Sequence, residues 1–372
     1  MNNFPKTPEA MLPEIFTAFD FGGQIAGALR YGEGHINDTF AVYVQTPQGE
    51  ERRFILQRIN TNTFTDPQGL MENIFGVTEY LAAQLAAEGL DPARGTLHFH
   101  RDNAGNLFYT DSEGGAWRLS DFIEDTVCLQ QVSSDELFLT VGDTFGHFQN
   151  QLIGYPAATL HETIAKFHHT PTRYENFERA VAADPLGRAG EIAGEIAFVR
   201  ARKADCSVLT DLLAAGKLPL RVTHNDTKLN NVLIDKATGK GLCVIDLDTV
   251  MPGLAAYDFG DTIRFGANDC AEDEADMGKV HFSTHLFEVF TKGFLGAATA
   301  LTAEEKRTLP WGAKLMTLEC GMRFLTDYLE GDTYFKIHRP GQNLDRAHTQ
   351  FKLVRDMEEN WDKLEATVAA YL

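Results

Sequence analysis

The run His224-Asn225-Asp226-Thr227-Lys228-Leu229-Asn230-Asn231 sets a carboxamide five residues behind a carboxylate, and the apolar run Leu242-Cys243-Val244-Ile245 then ends in a second carboxylate, Asp246. Side chains of these types in this order can transfer a phosphoryl group. Asp226 would accept the proton of an attacking hydroxyl, while Asn231 and Asp246 would hold Mg2+ on the triphosphate of ATP. Oxygen donors alone suit a hard, octahedral cation. A polar loop of hydrogen-bonded Asp and Asn explains each residue singly, but not all three with a hairpin between them.

That hairpin is predicted from the pattern. Residues 220–223 read as a short strand entering the loop, 231–234 as a second strand and 241–245 as a third, with Asp235-Lys236-Ala237-Thr238-Gly239 as the turn. Asn231 would start one arm and Asp246 end the other, so the two metal ligands would meet. Asp248 would face the same side as Asp246 if the chain stayed extended, as a partner behind the ligands. Asp258-Phe259-Gly260 spells the magnesium tripeptide of protein kinases, but it lies too far on to end the hairpin strand. Asp258 and Asp261 are expected instead near a helix start, bracing the catalytic loop by hydrogen bonds.

The elements that must position these residues change character near residue 125. Before it, residues 40–44 and 53–56 read as paired strands across Thr46-Pro47-Gln48-Gly49. A helix at 67–88 and strands at 96–100, 107–110 and 116–122 follow. Beyond it, Ser133-x-x-Glu136 and Thr159-x-x-Glu162 read as capping boxes, and helices are expected at 279–295, 311–330 and 343–370. This order predicts an α+β, bilobal, protein-kinase-like fold. Residues 1–124 would form a small sheet-rich nucleotide-binding lobe, and 125–372 a larger, mainly helical lobe with the catalytic loop and acceptor site. ATP would lie in the cleft between them, its adenine on the backbone of the hinge, Phe122-Ile123-Glu124.

In Tyr31-Gly32-Glu33-Gly34-His35-Ile36-Asn37, Gly32 and Gly34 would let the backbone approach phosphates, with Asn37 beside them. An ordinary turn would use the same glycines. The lysine expected on the third strand to grip the phosphates is missing. Gln57 stands in its place, followed by Arg58, so one of these or a basic residue from elsewhere must serve.

A net charge of −20 argues against nucleic acid as a partner. No apolar run reaches membrane length, and no basic start precedes an apolar core, so neither a membrane span nor a signal peptide is expected. The five cysteines are scattered and form no ligand pair or disulfide framework, which points to the cytoplasm. His281 and His285 share a helix face but lack a third ligand.

The His-x-Asp-x-x-x-x-Asn loop with Ile245-Asp246 resembles the aminoglycoside-phosphotransferase-like small-molecule kinases. Within them the chain is similar, nearly end to end, to the bacterial N-acetylhexosamine 1-kinases. The segments that carry this include Gly34-His35-Ile36-Asn37, Gly114-Gly115-Ala116-Trp117-Arg118, Asp258 to Ala267, Glu319-Cys320-Gly321-Met322-Arg323-Phe324 and Asp327 to Asp332 with Tyr334-Phe335. The resemblance implies ATP-dependent phosphorylation of the anomeric C1 hydroxyl of N-acetylglucosamine or N-acetylgalactosamine. It also implies that His35, Asp226, Phe265, Arg323 and Tyr334 line the sugar site, and that Gln57 in place of lysine is shared by the type. Alternatives are the same chemistry on another sugar, an aminoglycoside, choline or homoserine, or nucleotide binding without turnover.

Overall fold

A computed structural model of the chain describes residues 7–32, 36–268 and 270–372. The elements in order are α1 (Pro8–Ala18), β1 (Gln24–Arg30), β2 (Asp38–Gln45), β3 (Glu51–Ile59), α2 (Pro67–Ala87), α3 (Pro92–Gly95), β4 (Phe99–His100), β5 (Tyr109–Thr110), β6 (Ala116–Asp121) and β7 (Thr126–Val127). Next come α4 (Asp135–Gln151), α5 (Thr170–Ala183), α6 (Ala193–Arg200), α7 (Val208–Ala214), β8 (Arg221–Thr223), β9 (Val232–Asp235), β10 (Gly241–Val244), β11 (Met251–Gly253) and α8 (Ala255–Gly266). The chain closes with α9 (Thr284–Ala297), α10 (Ala303–Arg307), α11 (Leu309–Glu330), α12 (Gln342–Glu359) and α13 (Trp361–Ala369). The N-terminal region is thus sheet and the C-terminal part helical, an α+β kinase-like fold of two lobes.

The first sheet runs β1-β2-β3-β6-β4, with β5 also on β6, and every pair is antiparallel. Its period-two pattern decides its two faces. Phe40, Val42, Val44, Phe54, Leu56, Trp117 and Leu119 point outward, where Met11 and Ile15 of α1 cover them in a small core. Residues of the other parity, Gln57 and Arg118 among them, face inward. There α2 packs, opened by an Asp66 side chain that accepts the Gly69 N–H at 3.0 Å. In the helical part, α8 and α11 cross at their glycines. A Cβ on Gly260 would come within 2.2 Å of the Gly312 carbonyl. That close approach sets α8, which carries Asp258 and Asp261, against α11, which carries Glu319 and Arg323.

Several elements differ from their expected bounds. β1 and α1 left no clear signal: β1 is exposed along most of its length, so it lacks alternation. Segment 96–100 is strand only at Phe99 and His100. The cap of α4 is Ser134, which accepts the Leu137 N–H, rather than Ser133. Thr159 opens no long helix: its hydroxyl donates back to the Pro156 carbonyl, and only a single 3-10 turn forms. The helix expected from 279 starts at Thr284, capped by Ser283. The last helix breaks at Asn360.

Candidate active site

β9 and β10 pair with Val232 opposite Val244, and the Ile245 N–H donates to the Asn231 carbonyl at 2.9 Å. The hairpin therefore sets Asn231 and Asp246 side by side, as expected. Buried Asn231 donates its amide N–H to the Asp226 carbonyl at 2.7 Å, so its side-chain oxygen is the atom left to coordinate a cation.

Asp246 has φ of 60°, a left-handed conformation uncommon outside glycine and least costly for Asn and Asp. It turns the chain from β10 into one 3-10 turn, Leu247–Thr249. The extended geometry expected through Asp248 is absent. Asp248 is buried and accepts from Arg118 Nη1 at 2.5 Å and from Asn37 Nδ2 at 2.6 Å.

Solvent reaches Asp246, yet protein crowds round it. That partial desolvation, then the charges of Asp248 and Asp226, push its acid up to about 6. A divalent cation would relieve this repulsion, so the oxygen donors present fit Mg2+.

The catalytic loop is braced as expected. Asp258 accepts the N–H groups of His224 and Asn225 at 2.9 and 2.8 Å, and Gln149 Nε2 at 2.6 Å. Asp261 accepts the Thr227 N–H at 3.0 Å. Burial raises the Asp258 acid. Burial acts the same way on Asp261, but Arg264, His168 and Lys228 together hold it below the usual range. These bonds fix Asn225 at φ of 64° and aim Asp226. His224 Nε2 lies 2.8 Å from the Ile245 carbonyl and ties loop to hairpin.

Two cations had no assigned role in the sequence reading. Lys228 Nζ lies 2.8 Å from Asp226 Oδ1. Burial works to lower its pKa, but the Asp226 charge prevails and raises it. Its place two residues after Asp226 was the available signal. Arg118 on β6 stands in register opposite Gln57, with its side chain only 3% exposed. Its Nε donates to Gln57 Oε1 at 3.0 Å, while Gln57 Nε2 donates to Thr39 Oγ1 at 3.0 Å. Arg58 has the opposite parity and lies against Gly115 on the other face. The inward cation beside the missing lysine's position is therefore Arg118. Only the pairing of β3 with β6 reveals it.

At the hinge, Phe122 N–H donates to the Arg53 carbonyl, Thr126 Oγ1 donates to the Ile123 carbonyl, and Arg94 donates to the Glu124 carbonyl. The Glu124 carboxylate pairs with Arg53, whose guanidinium lies 3.7 Å from the Phe122 ring centroid. Among the described residues, the Phe122 carbonyl and the Glu124 N–H take no such bond, which leaves one acceptor and one donor for an adenine edge. Gly32 has φ of +78°, and neighbouring Tyr31 packs edge-on to Phe122 at 5.4 Å. Asn37 also accepts the Asn60 N–H at 2.9 Å, so both ends of its side chain are engaged by protein. Gly34 and His35 lie outside the described residues.

On the acceptor side, Arg323 lies 5.8 Å from the Tyr334 ring centroid and 5.3 Å from that of Phe335. One turn earlier on α11, buried Glu319 holds His168 Nδ1 at 3.1 Å, and His168 Nε2 reaches the Asn225 carbonyl at 3.0 Å. This chain of contacts couples the Arg323 helix to the catalytic loop. Tyr334 is exposed. Phe265, also exposed on the last turn of α8, borders a cavity of about 660 Å³ that Leu229 and Arg264 also line. No ring or cation contact joins it to Arg323 or Tyr334 among the described residues.

A kinase-like fold whose cleft gathers two carboxylates, a carboxamide and paired cations defines a phosphotransferase. The chain belongs to the phosphotransferase enzyme family, whose profile matches residues 28–281. It is a small-molecule kinase by that membership. A microcompartment-associated aminopropanol kinase has a similar structure at TM-score 0.62 and 15% identity, over 96% of this chain and 98% of that one. An amicoumacin kinase in complex with AMP-PNP and Ca2+ aligns at TM-score 0.58 and 13% identity, over 95% and 94%. An aminoglycoside phosphotransferase from Alicyclobacillus acidocaldarius aligns at 0.56 and 12%, over 100% and 96%. At these identities the likeness is one of fold.

Proposed function

We propose that the protein uses ATP and Mg2+ to phosphorylate the anomeric C1 hydroxyl of N-acetylhexosamines. The observation that carries the chemistry is the convergence of Asp226, Asn231 and Asp246 on one loop and hairpin. Asn231 and Asp246 would hold Mg2+, which screens the triphosphate charge. Asp226 takes the proton of the sugar hydroxyl. Lys228, 2.8 Å from the Asp226 carboxylate, lies where it can meet transferred phosphate charge. The residues 1–124 serve as the nucleotide lobe and 125–372 as the acceptor lobe. We assign a cytoplasmic site of action from the scattered cysteines; separately, among the described residues no helix is long and apolar enough to cross a membrane.

The sugar assignment rests on the segments around Arg323 and Tyr334 that resemble the hexosamine kinases. A second reading is a cationic acceptor, favoured by the net charge of −20 and by the structural likeness to an aminopropanol kinase. Local charge gives it little support: burial lowers the Arg173 pKa, neighbouring Arg323 adds to this, and the Glu319 carboxylate 3.9 Å away, which opposes it, is already engaged by His168 and Thr170. Two guanidinium groups beside one engaged carboxylate favour a neutral sugar over an ammonium group. ADP release measured across hexosamines, choline, aminopropanol and an aminoglycoside tests this. Sugar-dependent release is expected, and release only with the cationic acceptors would overturn the assignment.

Two further results are expected. Arg323→Ala should cost on the order of 2–4 kcal/mol of transition-state stabilisation, appearing in the sugar kinetics and sparing ATP binding. Unchanged sugar kinetics would remove Arg323 from the site. We also assign Arg118 the phosphate-gripping role of the absent lysine. Arg118→Met should raise the KM for ATP at least about tenfold. It should also destabilise the fold by about 3–5 kcal/mol, because Asp248 would stay buried with Asn37 but without its only opposite charge at hydrogen-bond distance among the described residues. Arg118→Lys should restore part of both, and an unaltered KM for ATP in the folded Met variant would refute the role.

A further inference from the structure

On the outer face of the first sheet, away from the phosphoryl-transfer site, three side chains form a set that this chemistry does not use. His98 and His100 alternate along one extended segment, so both point to the same face. His100 pairs in register with Leu119 on β6, and the Asp121 N–H donates to the His98 carbonyl at 3.0 Å. Asp121 therefore stands directly across from His98, on the face it shares with Trp117 and Leu119, opposite to that of Arg118. Its two carboxylate oxygens divide between the rings: Oδ2 lies 2.9 Å from His98 Nδ1, and Oδ1 lies 2.8 Å from His100 Nε2. The rings are nearly perpendicular, with centroids 4.7 Å apart. The ring of Phe54 meets His100 edge-on at 5.6 Å and holds it in place. Among the described residues this is the one group of three such side chains whose donor atoms all lie within 4.8 Å of one another.

We propose that His98, His100 and Asp121 form a zinc site. Two imidazoles and one carboxylate on paired strands give three ligands facing one point. The set carries one negative charge when the rings are neutral, which suits a divalent cation. Nitrogen donors select a borderline ion such as Zn2+ over Mg2+. A tetrahedron with Zn–ligand bonds of about 2.0 Å has edges of roughly 3.3 Å, so small side-chain rotations bring the three donors onto the ion. On binding, each ring proton moves to the nitrogen that faces away, Nε2 of His98 and Nδ1 of His100. The His98 side chain is 62% exposed, which leaves the fourth position to water.

The bound ion would have a structural consequence. β4 has only two residues in register with β6, and Asp121 is the last residue before Phe122. Zinc would staple this short edge strand to the end of the strand that leads into the hinge.

The test uses the full chain, stripped with a chelator and kept in excess Mg2+ so that the carboxylate site stays filled. Calorimetric titration with Zn2+ should show one equivalent bound, and Co2+ should give the visible absorption of a tetrahedral ion. Zinc should raise the melting temperature. His98→Ala/His100→Ala and, separately, Asp121→Asn should weaken zinc binding by about tenfold or more. Both variants should abolish the melting shift, and melting in chelator should show both folded. Asp121→Asn keeps the carboxamide oxygen for the rings and guards against a merely unfolded double variant. Zinc binding of equal strength in wild type and variants, or no zinc-dependent melting shift in the wild type, would overturn the proposal.

Discussion

Asp226→Asn is expected to lower turnover by about 10²–10⁴-fold while ATP still binds. The exchange keeps the side-chain shape and leaves the Asp226 carbonyl, which anchors Asn231, untouched. It removes the one atom pair that can take the acceptor proton. It also strips Lys228 of its partner at 2.8 Å, so Lys228 would turn to the phosphates or to solvent. Turnover should therefore collapse with little change in nucleotide affinity, measured by ADP release and by a fluorescent nucleotide. A near-normal rate would show that another group serves as the base.

Asp246→Asn should differ in kind. Asp246 is pushed up to about 6 by crowding protein and by the carboxylates of Asp248 and Asp226, and a cation is what relieves that cluster. Asparagine keeps an oxygen but loses the charge on the metal. Nucleotide affinity should fall together with turnover, each by at least about tenfold, and raised Mg2+ should recover part of the loss. The free protein should be no less stable, since removing a charge from a repelling cluster relaxes it. Nucleotide affinity that is unchanged and independent of Mg2+ would place the metal elsewhere.

The site was legible where its logic is local. The loop and hairpin lie within about two dozen consecutive residues, and strand pairing across one turn forces Asn231 beside Asp246. The order of strands before helices marked the kinase-like fold for the same reason. Contacts between distant segments were not legible. Arg118 acts through the register of β3 against β6, which no spacing encodes. The path from Arg323 through Glu319 and His168 to Asn225 joins α11, the segment before α5 and the catalytic loop. The extended geometry expected through Asp248 fails because the left-handed turn at Asp246 ends the alternation, yet Asp248 still lies near enough to push the Asp246 acid up. Asp258 and Asp261 do brace the loop, but by accepting its own N–H groups at His224, Asn225 and Thr227 rather than through the helix start, and Asp261 sits midway along α8.

The most direct test of the central claim is the position of the phosphate in the product. N-acetylglucosamine incubated with ATP, Mg2+ and the protein should yield a sugar phosphate whose phosphorus couples to the anomeric proton in the NMR spectrum. That result would fix the C1 oxygen as the acceptor. Phosphorus coupled to the C6 protons, or no sugar phosphate from any N-acetylhexosamine while a cationic alcohol is phosphorylated, would contradict it.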